Sequence, residues 1–256
     1  MNKSGKTVAI IVSRMGSSRL PGKALMEIGG EPMAGRIIER VGKSPSVDEI
    51  LIATSTLPED DPLEAFAKSR GVRCFRGSPD DVLGRITEAA RFAEAETVLD
   101  LMGDNPLVHS EMVEDVIDFF RKEDCDFASS VTTEFPHAPK EMPKFPIGLR
   151  VQVMTMACLE KCEELAASDE HREHATKYIF DNPEHFKVAY YPADGKYASM
   201  NRPELTFAVN YGANLELDRK IFAEASAEDP DFGMEAIVRT FDAHPEWAHL
   251  MGPQKE

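Results

Sequence analysis

Short apolar runs alternating with amphipathic stretches are the feature that most narrows what this chain can fold into. TVAIIVS (7–13), EILIATS (49–55), VRCFRG (72–77), TVLDLMGD (97–104) and CDFASSV (125–131) read as strands. Between them, apolar residues recur at helical spacing near 32–42, 61–70, 80–94 and 110–122. Such alternation requires right-handed crossovers, so the predicted fold is α/β: a single doubly wound, mostly parallel sheet with helices on both faces. Sheets of this kind bind ligands at the carboxyl ends of their strands.

The alternation breaks at 132–150, where TTEFPHAPKEMPKFPIGL holds four prolines and no helical period. This reads as a surface excursion over an active site or at a subunit contact. A strand (149–154), helices (155–167 and 170–180), strands (186–191 and 205–210) and C-terminal helices follow. Ser78 and Ser110 are expected to cap helices, and Gly71 to stop one. With 256 residues, 42% of them hydrophobic, the chain is expected to form one domain over 1–256.

A net charge of -16 argues against general nucleic-acid binding, which calls for dense Lys and Arg stripes. A small anionic substrate remains compatible if cations gather locally. Cys74, Cys125, Cys158 and Cys162 offer only one close pair, with no second pair to complete a metal site, so reduced and mostly buried thiols are expected. The apolar run Val8–Val12 is too short for a signal-peptide core, and no long apolar span follows. A cytoplasmic protein without membrane association is the expectation.

The loop after the first strand, SRMGSSRLPGK (13–23), carries the most specific chemistry. Its two glycines, three serines, Arg14, Arg19 and Lys23 can surround a polyphosphate with backbone N–H groups and cations. A P-loop is excluded, because five residues separate Gly16 from Gly22 and Ala24 stands where the metal-binding hydroxyl belongs. A dinucleotide fingerprint is excluded as well, since Pro21 and Pro32 delay the helix that it must open.

This loop resembles the A-R-M-G-S-x-R-L-P-G-K signature of cytidylyltransferases of the spore-coat polysaccharide biosynthesis protein F type. These are relatives of the acylneuraminate and keto-deoxyoctulosonate cytidylyltransferases. The resemblance continues in order through PMAGRIIER (32–40), ILIATS (50–55), FRGSPDDVLGR (75–85), LMGDNPL (101–107), IGLRVQV (147–153) and REHATKYI (172–179). It implies a nucleotide-binding half over 1–130 and an acceptor-binding half over 131–256 that includes any homodimer contact.

By that resemblance, Arg14, Arg19 and Lys23 meet the triphosphate, with Met15, Gly16, Ser17 and Ser18 beside them in the loop. Ala53, Thr54, Ser55, Arg76, Gly77, Ser78 and Arg85 border cytosine and ribose. Asp104, in the family's G-D-x-P pattern, is the implied Mg2+ ligand, a role suited to a carboxylate when water and phosphates fill the remaining shell. Arg172, Glu173 and His174, within DEHREH, are implied acceptor-side or interface residues; that segment has no zinc-protease spacing.

The chain departs from the family in two places. D-G-L-D-x-E-V is replaced by a segment with Arg150 and Gln152, and V-D-T-x-E-D-L by VNYGANLEL, which puts Asn210 at the second metal position and Asn214 at another acidic one. All four changes remove negative charge, so the acceptor side is expected to favour an acceptor more anionic than a sugar acid, such as a phosphonate or phosphate monoester. The implied activity is transfer of CMP from CTP to a small acidic acceptor with release of pyrophosphate, Arg19, Lys23 and Asp104 being catalytic and Mg2+ the cofactor. The rival readings are a non-catalytic CTP-binding or assembly protein and a nucleotidyltransferase using another nucleotide.

Overall fold

A computed structural model describes residues 5–134 and 138–252. The first four residues, and Phe135, Pro136 and His137 of the expected excursion, lie outside the described residues.

The strands are β1 (Thr7–Val12), β2 (Glu27–Ile28), β3 (Glu31–Pro32), β4 (Glu49–Ser55), β5 (Arg73–Gly77), β6 (Thr97–Met102), β7 (Phe127–Ser130), β8 (Gln152–Thr155) and β9 (Val188–Tyr191). The helices are α1 (Met33–Val41), α2 (Asp61–Ser69), α3 (Val82–Phe92), α4 (Ser110–Glu123), α5 (Met156–Leu165), α6 (Asp169–Glu173), α7 (Lys177–Asp181), α8 (Gly212–Glu228) and α9 (Met234–Ala243). β2 and β3 form a separate small hairpin. The main sheet runs β5-β4-β1-β6-β8-β7-β9, with only β8 antiparallel to its neighbours.

β1 shows why a doubly wound sheet forms. It is buried along its whole length, so its side chains feed two cores by simple alternation. Ala9 and Ile11 join the residues of α1, α2, α4, α8 and α9 on one face, while Val8, Ile10 and Val12 join those of α3, α5 and α7 on the other.

Several expected elements are corrected. Residues 205–210 form no strand; Thr206 makes a single isolated bridge to Ile147. The cause is Gly148, at φ +93, where a Cβ would lie 2.3 Å from the Ala208 backbone nitrogen. The two segments cross too closely there for a ladder to continue. The helix expected over 170–180 is broken into α6 and α7 at His174–Thr176. His109, not Ser110, caps α4, its ring accepting the Glu111 N–H; Asp81, not Ser78, caps α3 through the Gly84 N–H. Ser78 instead accepts the N–H groups of Asp80 and Asp81. Gly71 ends α2 at φ +68, as expected. Cys125, Cys158 and Cys162 are buried free thiols and Cys74 is partly buried. No helix among the described residues is long and apolar enough to cross a membrane.

Candidate active site

β1, β4, β5 and β6 are mutually parallel, so their carboxyl ends lie on one edge of the sheet, and the loop 13–23 leaves β1 there. Its base is tied to both neighbours: the Ser13 N–H donates to Ala53 O at 3.2 Å, and the Gly103 N–H to Val12 O at 2.9 Å. A Cβ on Gly103 would sit 2.6 Å from Ser13 Cβ, so only glycine permits this approach, which brings Asp104 beside the loop.

Within the loop, Met15 O accepts the N–H groups of Ser17 (2.9 Å) and Gly22 (2.8 Å), and Ser17 Oγ accepts the Leu20 N–H at 3.3 Å. The N–H groups of Gly16, Ser18 and Arg19 have no partner among the described residues. Unpaired N–H groups next to the exposed Arg14 and Arg19 make a receptor for oxyanions. The Arg19 guanidinium lies 5.7 Å from the ring centroid of Tyr211.

Lys23 crosses the mouth of the site. Its Nζ donates to Asp104 Oδ2 at 3.1 Å and to Val209 O at 2.7 Å, while the Val209 N–H donates back to Asp104 O at 2.8 Å. Asp104, Lys23 and the turn that carries Asn210 are thereby assembled from three distant parts of the chain. The Asp104 carboxylate already holds one cation, the Lys23 ammonium, so its position fits a metal ligand. Among the described residues, no three His, Cys, Asp or Glu side chains converge to hold a metal by themselves. Any ion at Asp104 would therefore take most of its ligands from substrate and water, with Asn210, the residue after Val209, as the neutral candidate in the adjoining turn.

The remaining expected nucleotide contacts divide into two groups. Ala53, Thr54 and Ser55 are buried at the end of β4; Gly77 ends β5 and Ser78 follows it. Arg85, on α3, is buried; its guanidinium donates to Ser78 O, and its Nε has no hydrogen-bond partner among the described residues. Burial first, and then the nearby Arg14, push its pKa down, while Asp60 and Asp81 pull it up. Arg76 is already engaged: it donates to Ser55 O (2.9 Å), Leu57 O (2.8 Å), Asp61 (2.7 Å) and Glu64 (2.7 Å), and so braces the β4–α2 connection.

The acceptor-side candidates also separate. Arg150 is buried, lies 3.4 Å from Glu134 and interacts electrostatically with Asp100. Burial pushes the Asp100 carboxyl up to about 6, and Arg150 pulls it down. Gln152 faces Asp100 across the β6–β8 pair; its amide donates to Ser129 Oγ (3.5 Å) and accepts from Thr176 (3.4 Å). Ser129, Ser130, Thr132 and Arg150 line a narrow recess together with Val131, Ala138, Phe180 and Tyr190. Arg172 reaches Asp81 at 3.4 Å, on the nucleotide side, while Glu173, the last residue of α6, and His174, just after it, are exposed. Asn214 is buried: Oδ1 accepts the Tyr211 N–H (2.9 Å), and Nδ2 donates to Leu250 O (3.2 Å) and Met251 O (2.7 Å). A carboxylate could not make those last two bonds.

One residue escaped the sequence reading. Asp60, fully buried, accepts the Met15 N–H at 2.6 Å and the Ser55 N–H at 3.0 Å, together with the Ser55 hydroxyl. Burial would raise its pKa, but the Ser55 and Met15 hydrogen bonds outweigh burial and hold it below the usual carboxylate value. The only signal in the sequence is an aspartate just before a helix, which reads as an ordinary cap.

Comparison with known proteins bears on the family and the fold. An uncharacterized protein of Methanocaldococcus jannaschii is 34% identical over 185 residues, 72% of this chain and 71% of its own length. The spore coat polysaccharide biosynthesis protein SpsF of Bacillus subtilis is 27% identical over 244 residues, 93% of this chain and 95% of its own. A cytidylyltransferase structure from Leptospira borgpetersenii shares the fold with a TM-score of 0.82 at 24% identity, covering 98% of this chain and 99% of that one. Residues 8–213 match the cytidylyltransferase family, and the chain belongs to it.

Proposed function

We propose that this chain transfers CMP from CTP to a small acidic acceptor and releases pyrophosphate, with Mg2+ held at Asp104. The observation that carries the reading is the Lys23–Asp104–Val209 junction beside a loop with unpaired N–H groups. That junction places a cation, a carboxylate and oxyanion receptors where a strand-end site meets its ligand.

An acceptor oxygen attacks the α-phosphorus in line, and the bond to the bridging oxygen of pyrophosphate breaks, carrying its electron pair away. Arg14, Arg19 and the loop amides hold the triphosphate and stabilise charge on the departing group. The Lys23 ammonium, held between Asp104 and Val209 O, would be free to meet the phosphates where a metal took its place at Asp104. Bound Mg2+ supplies charge neutralisation across the phosphate oxygens. An acceptor that is already ionised needs no general base.

The acceptor-side departures now have internal partners: Arg150 faces Asp100 and Glu134, Gln152 bridges Ser129 and Thr176, and Asn214 pins the chain at 250–251. Loss of carboxylates at these positions therefore does not by itself select a phosphonate over a sugar acid. A screen of sugar acids, phosphonates and phosphate monoesters with CTP and Mg2+, read by pyrophosphate release and by mass spectrometry of cytidylyl products, tests the function. Stoichiometric CTP binding with no product from any acceptor class would favour a non-catalytic nucleotide-binding protein. A thermal-shift ranking that puts ATP, GTP or UTP above CTP would overturn the base assignment.

A further inference from the structure

We propose that Asp60 is a positioning residue for triphosphate binding: its buried carboxylate clamps the Met15 amide and so sets the oxyanion-receiving conformation of loop 13–23. The inference rests on the reading that this loop holds the triphosphate.

The clamp has a rigid base. Arg76 fastens the segment 55–61 through Ser55 O, Leu57 O and Asp61, so Asp60 is held from the β5 side of the sheet. From that base, one carboxylate oxygen takes the Met15 N–H and the other takes the Ser55 N–H and hydroxyl. The ends of β1 and β4 are thereby joined through one side chain whose acceptor capacity faces only donors. Met15 is the residue whose carbonyl closes the loop by receiving Ser17 and Gly22. Fixing its N–H orients the Arg14–Met15 peptide, one peptide before the Gly16 N–H that is the first of the unpaired amides.

Charge adds to geometry. Asp60 interacts electrostatically with Arg85, which in turn is repelled by Arg14. A fixed negative charge behind the loop lets two arginines remain close enough to receive one anion, without exposing a carboxylate to the incoming phosphates. A neutral amide at position 60 would keep one oxygen but turn its NH2 toward an N–H donor, so either Met15 or Ser55 would lose its acceptor.

The test is calorimetric titration of wild type, Asp60→Asn and Asp60→Ala with CTP and with CMP, in the presence of Mg2+. A clamp on the phosphate loop predicts that Asp60→Asn weakens CTP binding about tenfold or more, as expected for loss of a hydrogen bond to a charged acceptor, while CMP binding changes less than about twofold. Asp60→Ala should widen that gap. Equal losses for CTP and CMP, whether through unfolding or a general structural role, overturn the proposal, and so does unchanged CTP binding. If wild type binds CTP no more tightly than CMP, the phosphate assignment of the loop itself fails. If wild type discriminates and Asp60→Asn discriminates as well, the clamp alone fails.

Discussion

Lys23 Nζ lies 3.1 Å from Asp104 Oδ2 and 2.7 Å from the Val209 carbonyl oxygen, so one ammonium joins the first loop, the end of β6 and the turn before α8. Asp104 is thus the anionic centre of the site before any ligand arrives. Replacing it by Asn leaves one neutral oxygen where a metal needs charge. Asp104→Asn should retain the fold and lose most metal-dependent turnover. Circular dichroism and pyrophosphate release at saturating CTP check this, and near-wild-type turnover would reject Asp104 as the principal metal ligand.

Among the described residues the Lys23 ammonium has two hydrogen-bond partners, and both are replaceable by ligand chemistry. Lys23→Ala should therefore weaken CTP binding by about tenfold or more and CMP binding far less, because CMP lacks the outer phosphates that an ammonium would meet. Calorimetry with both nucleotides decides it; equal losses would assign Lys23 to holding the 209–214 turn.

Arg150 and Asp100 form a buried opposite-charge relationship, and Arg150→Asp would set two carboxylates against each other. Asp100, raised to about 6 against an unfolded value near 3.9, retains its proton longer in the native state. Its protonation contributes stability that is fully present below the unfolded value and is lost as pH rises through 6. Arg150 offsets part of that loss. Arg150→Asp should lower the melting temperature by several degrees at pH 7.5 and less at pH 5, and adding Asp100→Arg should recover part of the loss. If pH has no influence on the difference, the pair is not coupled.

Asp218 is fully buried in α8, both carboxylate oxygens lack a hydrogen-bond partner among the described residues, and burial holds its pKa well above the ordinary value. An unfolded chain ionises this group freely, so its burial costs stability increasingly as pH rises above about 4. Asp218→Leu, of similar volume, removes that cost. The melting temperature should rise by a few degrees or more at neutral pH, where about 1 kcal/mol corresponds to 2–4 °C for a chain of this size, and the gain should shrink at pH 4. A loss of stability at neutral pH would mean that Asp218 holds a partner that leucine cannot replace.

What the sequence settled by itself was local or periodic. Alternating strand and helix patterns determined a doubly wound sheet, because β1 can satisfy two cores only if both faces are covered. The loop 13–23 was legible because its glycines, hydroxyls and cations are consecutive, and Asp104 because it follows a strand in a short fixed pattern. What tertiary structure decided was long-range pairing. Residues 205–210 have strand composition, yet the backbone crossing at Gly148 limits them to one bridge. Arg76 has the chemistry of a nucleotide contact, but Asp61 and Glu64, close to it only in space, claim its guanidinium. Arg150 and Gln152 look like changes in acceptor preference until Asp100, Ser129 and Thr176 are brought beside them. Asp60 lies 45 positions from Met15 and reads as a helix cap in sequence; only the parallel pairing of β1 with β4 places its carboxylate against that amide.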